Sequence, residues 1–465
     1  MNRSLPGVEK GDTFVQDISS RIQKLARNLP GVSVRTELLY RIPYQYDATG
    51  LRGQCGGVAF PEGLNGLERL VREAAKLEIP LYTRGAGTGF SGGSIPLDGG
   101  LVVSTERMAR VLRFDPETEE VEVESGIVNR ELQDYLEPLG FFYPPDPASL
   151  NFSTIGGNIA ENAGGPQAYR YGVTRRYVRS LTWMTSQGEV LTTPPERASS
   201  LLIGAEGTLG IIYAARLAVL PLPETYRTAL LVAGSDGRAM GVAASLISKG
   251  FCPSVIEFID SKTMRCVSEY RNVSGLTTDQ SNLFIEIGGS REEVDGQWEL
   301  LEDFCSTKGL TLITAQDEGE REILWELRRS VSPSLARRGI TKVNEDVSLP
   351  LGRLKEAVSF IHRIARELSL DCYIFGHCGD GNLHVNIMTD RRRKEEMVRV
   401  AEFVERLFQW TVALGGTLSG EHGIGLTKSP YLDLVFSPTE INLQQGMKRA
   451  LDERRILNPG KYFTL

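Results

Sequence analysis

Two short glycine-flanked motifs carry three of the four histidines of this chain. GHCGDGNLH contributes His377 and His384, and SGEHGIG contributes Glu421 and His422. Glycines let the backbone bring polar side chains close to a ligand, and two imidazoles with one carboxylate form a common catalytic metal set that keeps open coordination positions. Zinc, manganese and iron(II) all accept such ligands. Histidines beside a turn are more often ordinary hydrogen-bonded residues. Only the second motif, which adds a carboxylate and a third histidine, favours a metal site.

The strand that begins at the end of the first motif places two polar side chains on one face. In LHVNIM, the side chains of Leu383, Val385 and Ile387 point one way, and those of His384 and Asn386 point the other. The Gly-Asp-Gly-Asn stretch before this strand supplies a turn that would fold the first histidine of the motif toward the second. The sequence therefore predicts a β-hairpin whose polar face forms part of a site.

Three glycine-rich loops lie in the first half of the chain, at 84–93, 153–165 and 204–212. The first, RGAGTGFSGG, is not a standard dinucleotide-binding fingerprint, because the residues after it read as a strand and not as a helix that would hold a pyrophosphate. Its backbone N–H groups can still form an anion-binding nest, although a surface turn is the competing interpretation. Three such loops together favour one long ligand wrapped by backbone.

The order of these loops, with PPDPAS between the first two, resembles the FAD-binding domain of the vanillyl-alcohol-oxidase type. With GHCGDGNLH, SGEHGIG and LNPGKYF, the chain is similar to the family of the glycolate oxidase large flavin subunit and the FAD-dependent D-lactate and D-2-hydroxyglutarate dehydrogenases. Non-covalent FAD is implied, because no histidine precedes His362 and the first loop has no cysteine. The resemblance implies cofactor contacts at Arg84, Gly85, Ala86, Gly87, Thr88, Gly89, Ser91, Gly92, Gly93, Pro145, Thr154, Gly157, Asn158, Ala163, Gly164, Glu206, Ile211, Ile212 and Asn458.

The same resemblance implies roles for the residues of the two histidine motifs. His377, His384 and Glu421 match positions that bind a divalent metal, and His422 matches the catalytic base. A 2-hydroxy acid can chelate a metal through its carboxylate and hydroxyl oxygens, which orients the acid and makes the hydroxyl proton easier to remove. His422 would take that proton as hydride leaves the substrate Cα for flavin N5, and the product would be the 2-oxo acid.

The substrate carboxylate also needs a cation. The segment from Trp325 to Arg328 matches the arginine segment of the family, and a guanidinium can bind both carboxylate oxygens, although a solvated helix arginine is the alternative. Arg329 is expected to face elsewhere, and Lys342 is a candidate second cation. The spacing around Lys342 departs from that of the dicarboxylate-specific relatives, which favours D-lactate or glycolate over D-2-hydroxyglutarate. Asn386 is expected to face the substrate beside the histidines.

The elements that must position these residues fall into three predicted parts. An FAD-binding domain covers 1–222, a substrate or cap domain with the metal site covers 223–415, and a C-terminal segment over 416–465 returns to the first. A proline-bounded exit marks the first boundary. In the second part the order βαββαβ predicts a ferredoxin-like sheet with helices on one face. The predicted fold class is α+β, with a two-part FAD-binding domain of the vanillyl-alcohol-oxidase type and a ferredoxin-like cap.

Periodicity and turn residues predict further elements. A helix is expected over 11–30, and another over 319–338 with a kink or break at Pro333. LNPGKYF is expected to bring Asn458 and Lys461 back to the flavin-binding part, with a merely buried C-terminal turn as the alternative.

Composition excludes several classes of function. At 465 residues the chain is too long for one compact core, and a net charge of −7 with a pI near 5.5 gives no basic surface for nucleic acid. The N-terminus lacks the apolar core of a signal peptide, and no stretch approaches the roughly 20 apolar residues that span a bilayer. A cytoplasmic location is expected, with peripheral membrane contact left open.

The six cysteines form no C-x-x-C pair. The electron acceptor would therefore be an electron-transfer flavoprotein, a separate iron–sulfur subunit or quinone.

Two other functions compete with an FAD-dependent D-2-hydroxy-acid dehydrogenase. A metal hydrolase could use His377, His384 and Glu421 with a bound water, but the glycine-rich loops would then have no purpose. A non-catalytic flavoprotein subunit for electron transfer would not need the two histidine motifs.

Overall fold

A computed structural model describes residues 12–194, 198–271 and 279–462 of the chain. The N-terminal segment before Asp12, which bears on the signal-peptide prediction, and the last residue of LNPGKYF lie outside the described residues. The elements of the first half, apart from short 3-10 turns, are α1 Asp12–Asn28, β1 Ser33–Arg35, α2 Leu38–Arg41, β2 Gly57–Phe60, α3 Gly63–Lys76, β3 Leu81–Arg84, β4 Leu101–Ser104, β5 Val111–Asp115, β6 Glu120–Glu124, α4 Asn129–Leu136, β7 Phe141–Phe142, α5 Ile155–Glu161, α6 Ala168–Tyr171, β8 Val178–Met184, β9 Val190–Thr193, β10 Ile211–Ala218 and β11 Leu220–Pro221.

Two sheets dominate this half. One has the order β1-β2-β4-β3, in which β4 is parallel to both of its neighbours, and the other is antiparallel with the order β5-β6-β10-β8-β9. The first glycine-rich loop joins β3 to β4 and contains no helix, as the sequence predicts. Strands such as β4, in which every residue is buried, read as continuous apolar runs because both faces are covered.

The predicted N-terminal helix packs against this part of the fold. Ile18, Ile22 and Leu25 of α1, with Leu29 directly after the helix, are buried in one core cluster with α3 and with Leu81 of β3. Their spacing of three and four residues places them on one helical face. Burial of each such side chain contributes roughly 1.5–3 kcal/mol, which holds α1 against the sheet that carries the first loop.

The second half contains one large sheet and most of the helices. Its elements, again without short 3-10 turns, are β12 Thr225–Gly234, α7 Asp236–Ser248, β13 Val255–Ile259, α8 Ser261–Arg271, β14 Ser281–Gly289, α9 Arg291–Lys308, β15 Thr311–Thr314, α10 Glu318–Arg329, α11 Val331–Leu335, β16 Thr341–Ser348, α12 Leu354–Glu367, β17 Asp371–His377, β18 Asn382–Thr389, α13 Lys394–Ala413 and α14 Pro438–Leu451.

The large sheet has the order β15-β12-β14-β13-β17-β18-β16. Its first four strands have the antiparallel arrangement of a ferredoxin-like sheet, as predicted from the order of elements. The remaining strands extend that sheet through the pairing of β13 with β17. The site-bearing hairpin β17–β18 therefore lies inside the sheet and not at its edge.

Two local features differ from the sequence expectations. The predicted helix over 319–338 breaks at Ser330, where α10 ends, and Pro333 lies within the short α11. Proline has no N–H to donate to the carbonyl four residues earlier, which is that of Arg329, and the helix ends one turn before Pro333 for this reason. The strand β16 was not expected, because TKVNEDVS is largely polar.

The C-terminal residues run beside the first sheet. Leu457 forms a parallel bridge with Leu81, and the Asn458 N–H donates a 2.7 Å hydrogen bond to the Leu81 carbonyl. The domain limits at 222 and 415 stay predictions. Among the described helices, none combines the length and the hydropathy that crossing a membrane requires.

Candidate active site

The hairpin β17–β18 brings the two histidines of the first motif together. Phe375 pairs with His384 across the hairpin, and His377 ends β17. Gly381 in the turn has a φ of +84°, and a Cβ there would lie 2.1 Å from the Leu349 carbonyl oxygen. Only glycine fits that position, because the conformation is left-handed and the neighbouring backbone leaves no room.

His377, His384 and Glu421 turn three potential ligand atoms toward one point. The two histidine Nε2 atoms are 3.3 Å apart, and the Glu421 Oε1 atom lies 3.3 Å from the first and 3.4 Å from the second. These atoms form a nearly equilateral triangle. Atoms at these separations would suit a divalent cation such as zinc, whose bonds to nitrogen and oxygen are about 2.0–2.2 Å long.

The charges of these residues suit a cation. Burial, followed by the charge of His377, lowers the pKa of His384 well below its ordinary value, so His384 offers a neutral lone pair. Burial alone would raise the pKa of Glu421, but the neighbouring imidazoles outweigh it and lower that pKa to about 2. The Glu421 Oε2 atom is buried and finds no hydrogen-bond partner among the described residues. These three residues could therefore hold a divalent metal ion.

Glu257 lies directly behind the triangle of His377, His384 and Glu421. Its Oε1 atom is 2.5 Å from the His377 Nδ1 atom, and its Oε2 atom accepts a 2.7 Å hydrogen bond from the Arg328 Nε–H. Burial alone would lower the pKa of His377, but the carboxylates of Glu257 and Glu421 outweigh it and hold that pKa well above its ordinary value. Such a carboxylate keeps the Nδ1–H and orients the ring, and a metal at Nε2 would take the place of the second proton.

Asp346 of β16 organises the second histidine motif. One of its oxygens, Oδ2, accepts hydrogen bonds from the N–H groups of Gly420 at 2.8 Å, Glu421 at 2.6 Å and His422 at 3.0 Å. Its other oxygen, Oδ1, is paired with the buried Lys428 ammonium. Burial alone would raise the pKa of Asp346, but the charges of His422 and Lys428 outweigh it and hold the pKa far below the ordinary value. An ionised carboxylate thus fixes the backbone that carries Glu421 and His422.

His422 packs beside the triangle without being part of it. Its ring centroid is 5.1 Å from that of His384 and 5.1 Å from that of Phe90, and its Nδ1 atom lies 3.4 Å from the Asp346 Oδ1 atom. Burial lowers the pKa of His422, and the nearby carboxylates only partly oppose this. The imidazole can therefore accept a proton.

The polar face of β16 and β18 continues past the histidines. Asn386 is fully buried, and its Oδ1 atom accepts a 2.6 Å hydrogen bond from the Asn344 Nδ2 group. Lys342, on the same face of β16, donates a 2.8 Å hydrogen bond to the Ser332 Oγ atom, and its ammonium lies 4.6 Å from the centroid of the Phe90 ring. Asn386 and Lys342 thus extend this polar face beyond His384, and Lys342 reaches Phe90.

One cleft joins the three glycine-rich segments to this site, since its wall includes both Glu421 and His422. The second segment, expected as a loop, contains helix α5. Residues from all three segments line the cleft, as a long ligand wrapped by their backbone requires. The predicted cofactor positions in its wall are Gly85, Ala86, Gly87, Thr88, Gly89, Gly93, Thr154, Gly157, Asn158, Ala163, Glu206 and Ile212.

The C-terminal residues brace the first glycine-rich loop. The Lys461 ammonium donates hydrogen bonds to the carbonyls of Gly92 at 2.5 Å and Ile95 at 2.6 Å, and the Asn458 Nδ2 group donates to Gly93 at 2.9 Å. These bonds fix the backbone of a loop whose N–H groups can hold an anion.

Several predicted cofactor positions lie outside the cleft wall, namely Arg84, Ser91, Gly92, Pro145, Gly164, Ile211 and Asn458.

Arg84 contacts backbone carbonyls of an earlier segment. Its guanidinium is buried and donates hydrogen bonds to the Tyr46 carbonyl at 2.8 Å and the Pro43 carbonyl at 3.3 Å. Arg84 thus ties the start of the glycine-rich loop to the segment before β2.

The chain matches family models over most of its length. Residues 56–194 match an FAD binding domain, and residues 222–462 match the C-terminal domain of FAD linked oxidases. The chain belongs to the FAD-linked oxidase family. The glycolate oxidase subunit GlcD of Bacillus subtilis is 36% identical over 435 residues, which covers 91% of this chain and 92% of the relative.

Other relatives of this FAD-linked oxidase act on 2-hydroxy acids by name. D-lactate dehydrogenase of Anaerostipes hadrus is 29% identical and covers 83% of this chain and 84% of its own. D-2-hydroxyglutarate dehydrogenase of Stutzerimonas stutzeri is 31% identical over 88% of this chain and 90% of the relative. A solved structure of p-cresol methylhydroxylase with substrate bound has a TM-score of 0.80 at 15% identity and covers 97% of each chain. The predicted family and fold class are confirmed, and the protein is an FAD-linked oxidoreductase related to these enzymes.

Two residues central to the site of this FAD-linked oxidase were missed by the sequence interpretation. Glu257 occurs in the otherwise apolar run SVIEFI, and Asp346 occurs in a strand that was not recognised. The signal was available for Glu257, because an acid in the middle of a buried strand must have a partner. No comparable signal marked Asp346.

Asp346→Asn is expected to lower the free energy of unfolding by about 3–5 kcal/mol, because it leaves the buried Lys428 ammonium unpaired. Urea unfolding followed by circular dichroism measures this change. Glu322→Gln is the matched control, since the Glu322–Arg329 ion pair is about half exposed and such pairs contribute roughly 0–1 kcal/mol. Equal losses in the two variants would contradict the role assigned to Asp346.

Proposed function

We propose that this FAD-linked oxidase converts a small D-2-hydroxy acid, D-lactate or glycolate, into the 2-oxo acid. The observation that carries the proposal is the position of His422 beside the His377, His384 and Glu421 triangle, in the wall of the cleft formed by the glycine-rich loops. A hydrolase would need the triangle but not the cleft. A non-catalytic flavoprotein would need the cleft but not the triangle.

Each group has a separate chemical task in this proposal. Non-covalently bound FAD supplies the hydride acceptor, and a divalent cation such as Zn²⁺, Mn²⁺ or Fe²⁺ supplies a Lewis acid for the substrate oxygens. His377, His384 and Glu421 hold the cation and leave coordination positions open. His422 takes the proton of the substrate hydroxyl, and Asp346 keeps its backbone in place.

Two cations are available for the substrate carboxylate. Arg328 already directs its Nε–H and one terminal nitrogen to Glu257, so only part of its guanidinium is free to bind substrate. Lys342 bonds only to the neutral Ser332 hydroxyl among the described residues, and burial lowers its pKa to about 8. We therefore propose that Arg328 and Lys342 share the carboxylate, with Asn386 as a hydrogen-bonding neighbour.

The remaining steps involve other molecules. Because the chain has no cysteine pair for an iron–sulfur cluster, we propose that electrons leave to an electron-transfer flavoprotein, an iron–sulfur subunit or quinone. All six cysteines are free thiols, which suits a reducing compartment such as the cytoplasm.

An anaerobic substrate panel tests the reaction. Protein loaded with FAD is mixed with D-lactate, L-lactate, glycolate or D-2-hydroxyglutarate, and the loss of oxidised flavin absorbance is recorded. We expect reduction by D-lactate or glycolate, and rates at least about tenfold lower with the other two acids, because their extra groups or opposite hand misplace the reacting C–H. Dithionite serves as the positive control. A flavin that dithionite reduces but no 2-hydroxy acid reduces would refute the proposal.

A further inference from the structure

Glu161 ends α5 in the wall of the cleft, and the proposed mechanism does not use it. Its Oε2 atom is buried and has no hydrogen-bond partner in the part of the chain that the structure describes. Lys428, whose charge acts on Glu161, is bonded to Asp346 instead. A buried carboxyl oxygen without a partner in the wall of the cleft requires a chemical explanation.

The carboxyl group of Glu161 lies where the first glycine-rich loop meets the second histidine motif. A Cβ built at Gly423 would lie 2.1 Å from its Oε2 atom, and one built at Gly93 would lie 3.1 Å from its Oε1 atom. Gly423 directly follows His422. Because the reacting end of a flavin must lie where the base can reach the substrate, Glu161 borders that end of the cleft and not the adenine end.

A second acid, Glu206, lies close by. Its Oε1 atom is 2.9 Å from the same Cβ position at Gly423, so the two carboxyl groups approach to within about 5.0 Å. Glu206 accepts N–H hydrogen bonds from Ile424 at 2.6 Å and Gly425 at 2.7 Å, which stabilise its negative charge. No such donors serve Glu161 among the described residues, so Glu206 is the better anion of the pair.

Glu161 is consequently the acid that keeps its proton. Burial, followed by the charge of Glu206, raises the pKa of Glu161 well above its ordinary value, and the carboxylates of Asp47 and Asp346 act in the same direction. Its place at the C-terminal end of a helix also disfavours a negative charge. A protonated carboxyl group is a hydrogen-bond donor, in contrast to a carboxylate.

We propose that Glu161 presents a neutral carboxylic acid to the bound flavin and favours the reduced cofactor by donating a hydrogen bond to it. The flavin gains negative charge on reduction, and a neutral donor stabilises that charge while a carboxylate would oppose it. This inference rests on FAD occupying the cleft as proposed, but it is independent of the substrate.

The expected size follows from the strength of such a bond. A hydrogen bond to a charged group changes an equilibrium about tenfold to a hundredfold, which is about 30–60 mV for a two-electron couple. The bound flavin of Glu161→Leu should therefore have a midpoint potential lower by this amount. Glu161→Gln retains a neutral donor of similar shape and should stay close to the unaltered protein.

The experiment measures the midpoint potential of the FAD-loaded protein with a reference dye and a chemical reductant, without any 2-hydroxy acid. Glu161→Gln and Glu161→Leu are compared, with Glu161→Ala as a second apolar variant if the leucine does not load FAD. Glu299→Gln, on the exposed face of α9, is the matched control. A lower potential in the apolar variants alone supports the proposal.

Three outcomes would overturn it. A higher potential in Glu161→Gln would mean that the native side chain is a carboxylate. Equal changes in the glutamine and apolar variants would mean that the donated hydrogen bond is not the cause. Unchanged potentials in all variants would mean that Glu161 does not face the flavin. Failure of the substrate panel, by comparison, would leave these potentials unaffected.

Discussion

Replacing His422 with asparagine is expected to lower the rate of anaerobic flavin reduction by substrate about 100- to 10,000-fold, the usual contribution of a general base. His422 lies beside the triangle of His377, His384 and Glu421, and among the described residues no other histidine lies in the wall of the cleft. Asparagine preserves much of the side-chain volume, and the backbone hydrogen bond to Asp346 is kept. Stopped-flow absorbance with saturating D-lactate or glycolate measures the rate.

His362→Asn is the control for this variant. His362 lies on α12, and its Nε2 atom is 2.9 Å from the Asp236 Oδ2 atom, away from the cleft. Its substitution should leave the rate of flavin reduction unchanged. Dithionite should reduce the flavin of all three proteins equally. If His422→Asn were reduced by substrate as fast as the unaltered protein, another group would have to remove the hydroxyl proton.

Glu421→Gln is expected to lower the affinity for a divalent metal at least about a hundredfold and to abolish substrate-driven flavin reduction together with it. Glu421 is the only anionic member of the triangle, and its charge offsets that of the cation. A neutral amide also offers its oxygen less strongly. Metal content by elemental analysis and reduction rate are measured on the same preparation, and FAD content should not change.

A graded second variant sharpens this prediction. Glu257→Gln keeps all three ligands but weakens the hydrogen bond that orients His377, and a loss of about 10- to 100-fold in metal affinity is expected. Exposed Glu299→Gln should show no loss. Full metal content in Glu421→Gln would contradict the assignment of the triangle.

The sequence predicted those parts of the site whose signal is local. Alternation in LHVNIM predicted that His384 and Asn386 share a face, and the GDGN turn predicted the hairpin. The order of strands and helices predicted the ferredoxin-like half of the large sheet. In each case the information lies within a few neighbouring residues, or in the order of elements along the chain.

The parts that were missed depend on pairing between distant segments. Strand β16 is polar because Lys342, Asn344 and Asp346 face the site, so its pattern resembles a solvent-exposed loop. The contacts of Glu257 with His377 and Arg328 span 120 and 71 residues of chain. The carbonyl partners of Arg84 lie about 40 residues earlier in the chain, which no local pattern indicates.

The most direct test of the account is anaerobic flavin reduction by the active 2-hydroxy acid before chelation, after chelation, and after a divalent metal is returned. In the proposed reaction a metal orients the substrate and FAD accepts the electrons, so chelation should stop reduction by substrate while FAD stays bound and dithionite still reduces it. Returning Zn²⁺, Mn²⁺ or Fe²⁺ should restore the rate. Undiminished reduction of a protein shown by elemental analysis to be free of metal would contradict the account.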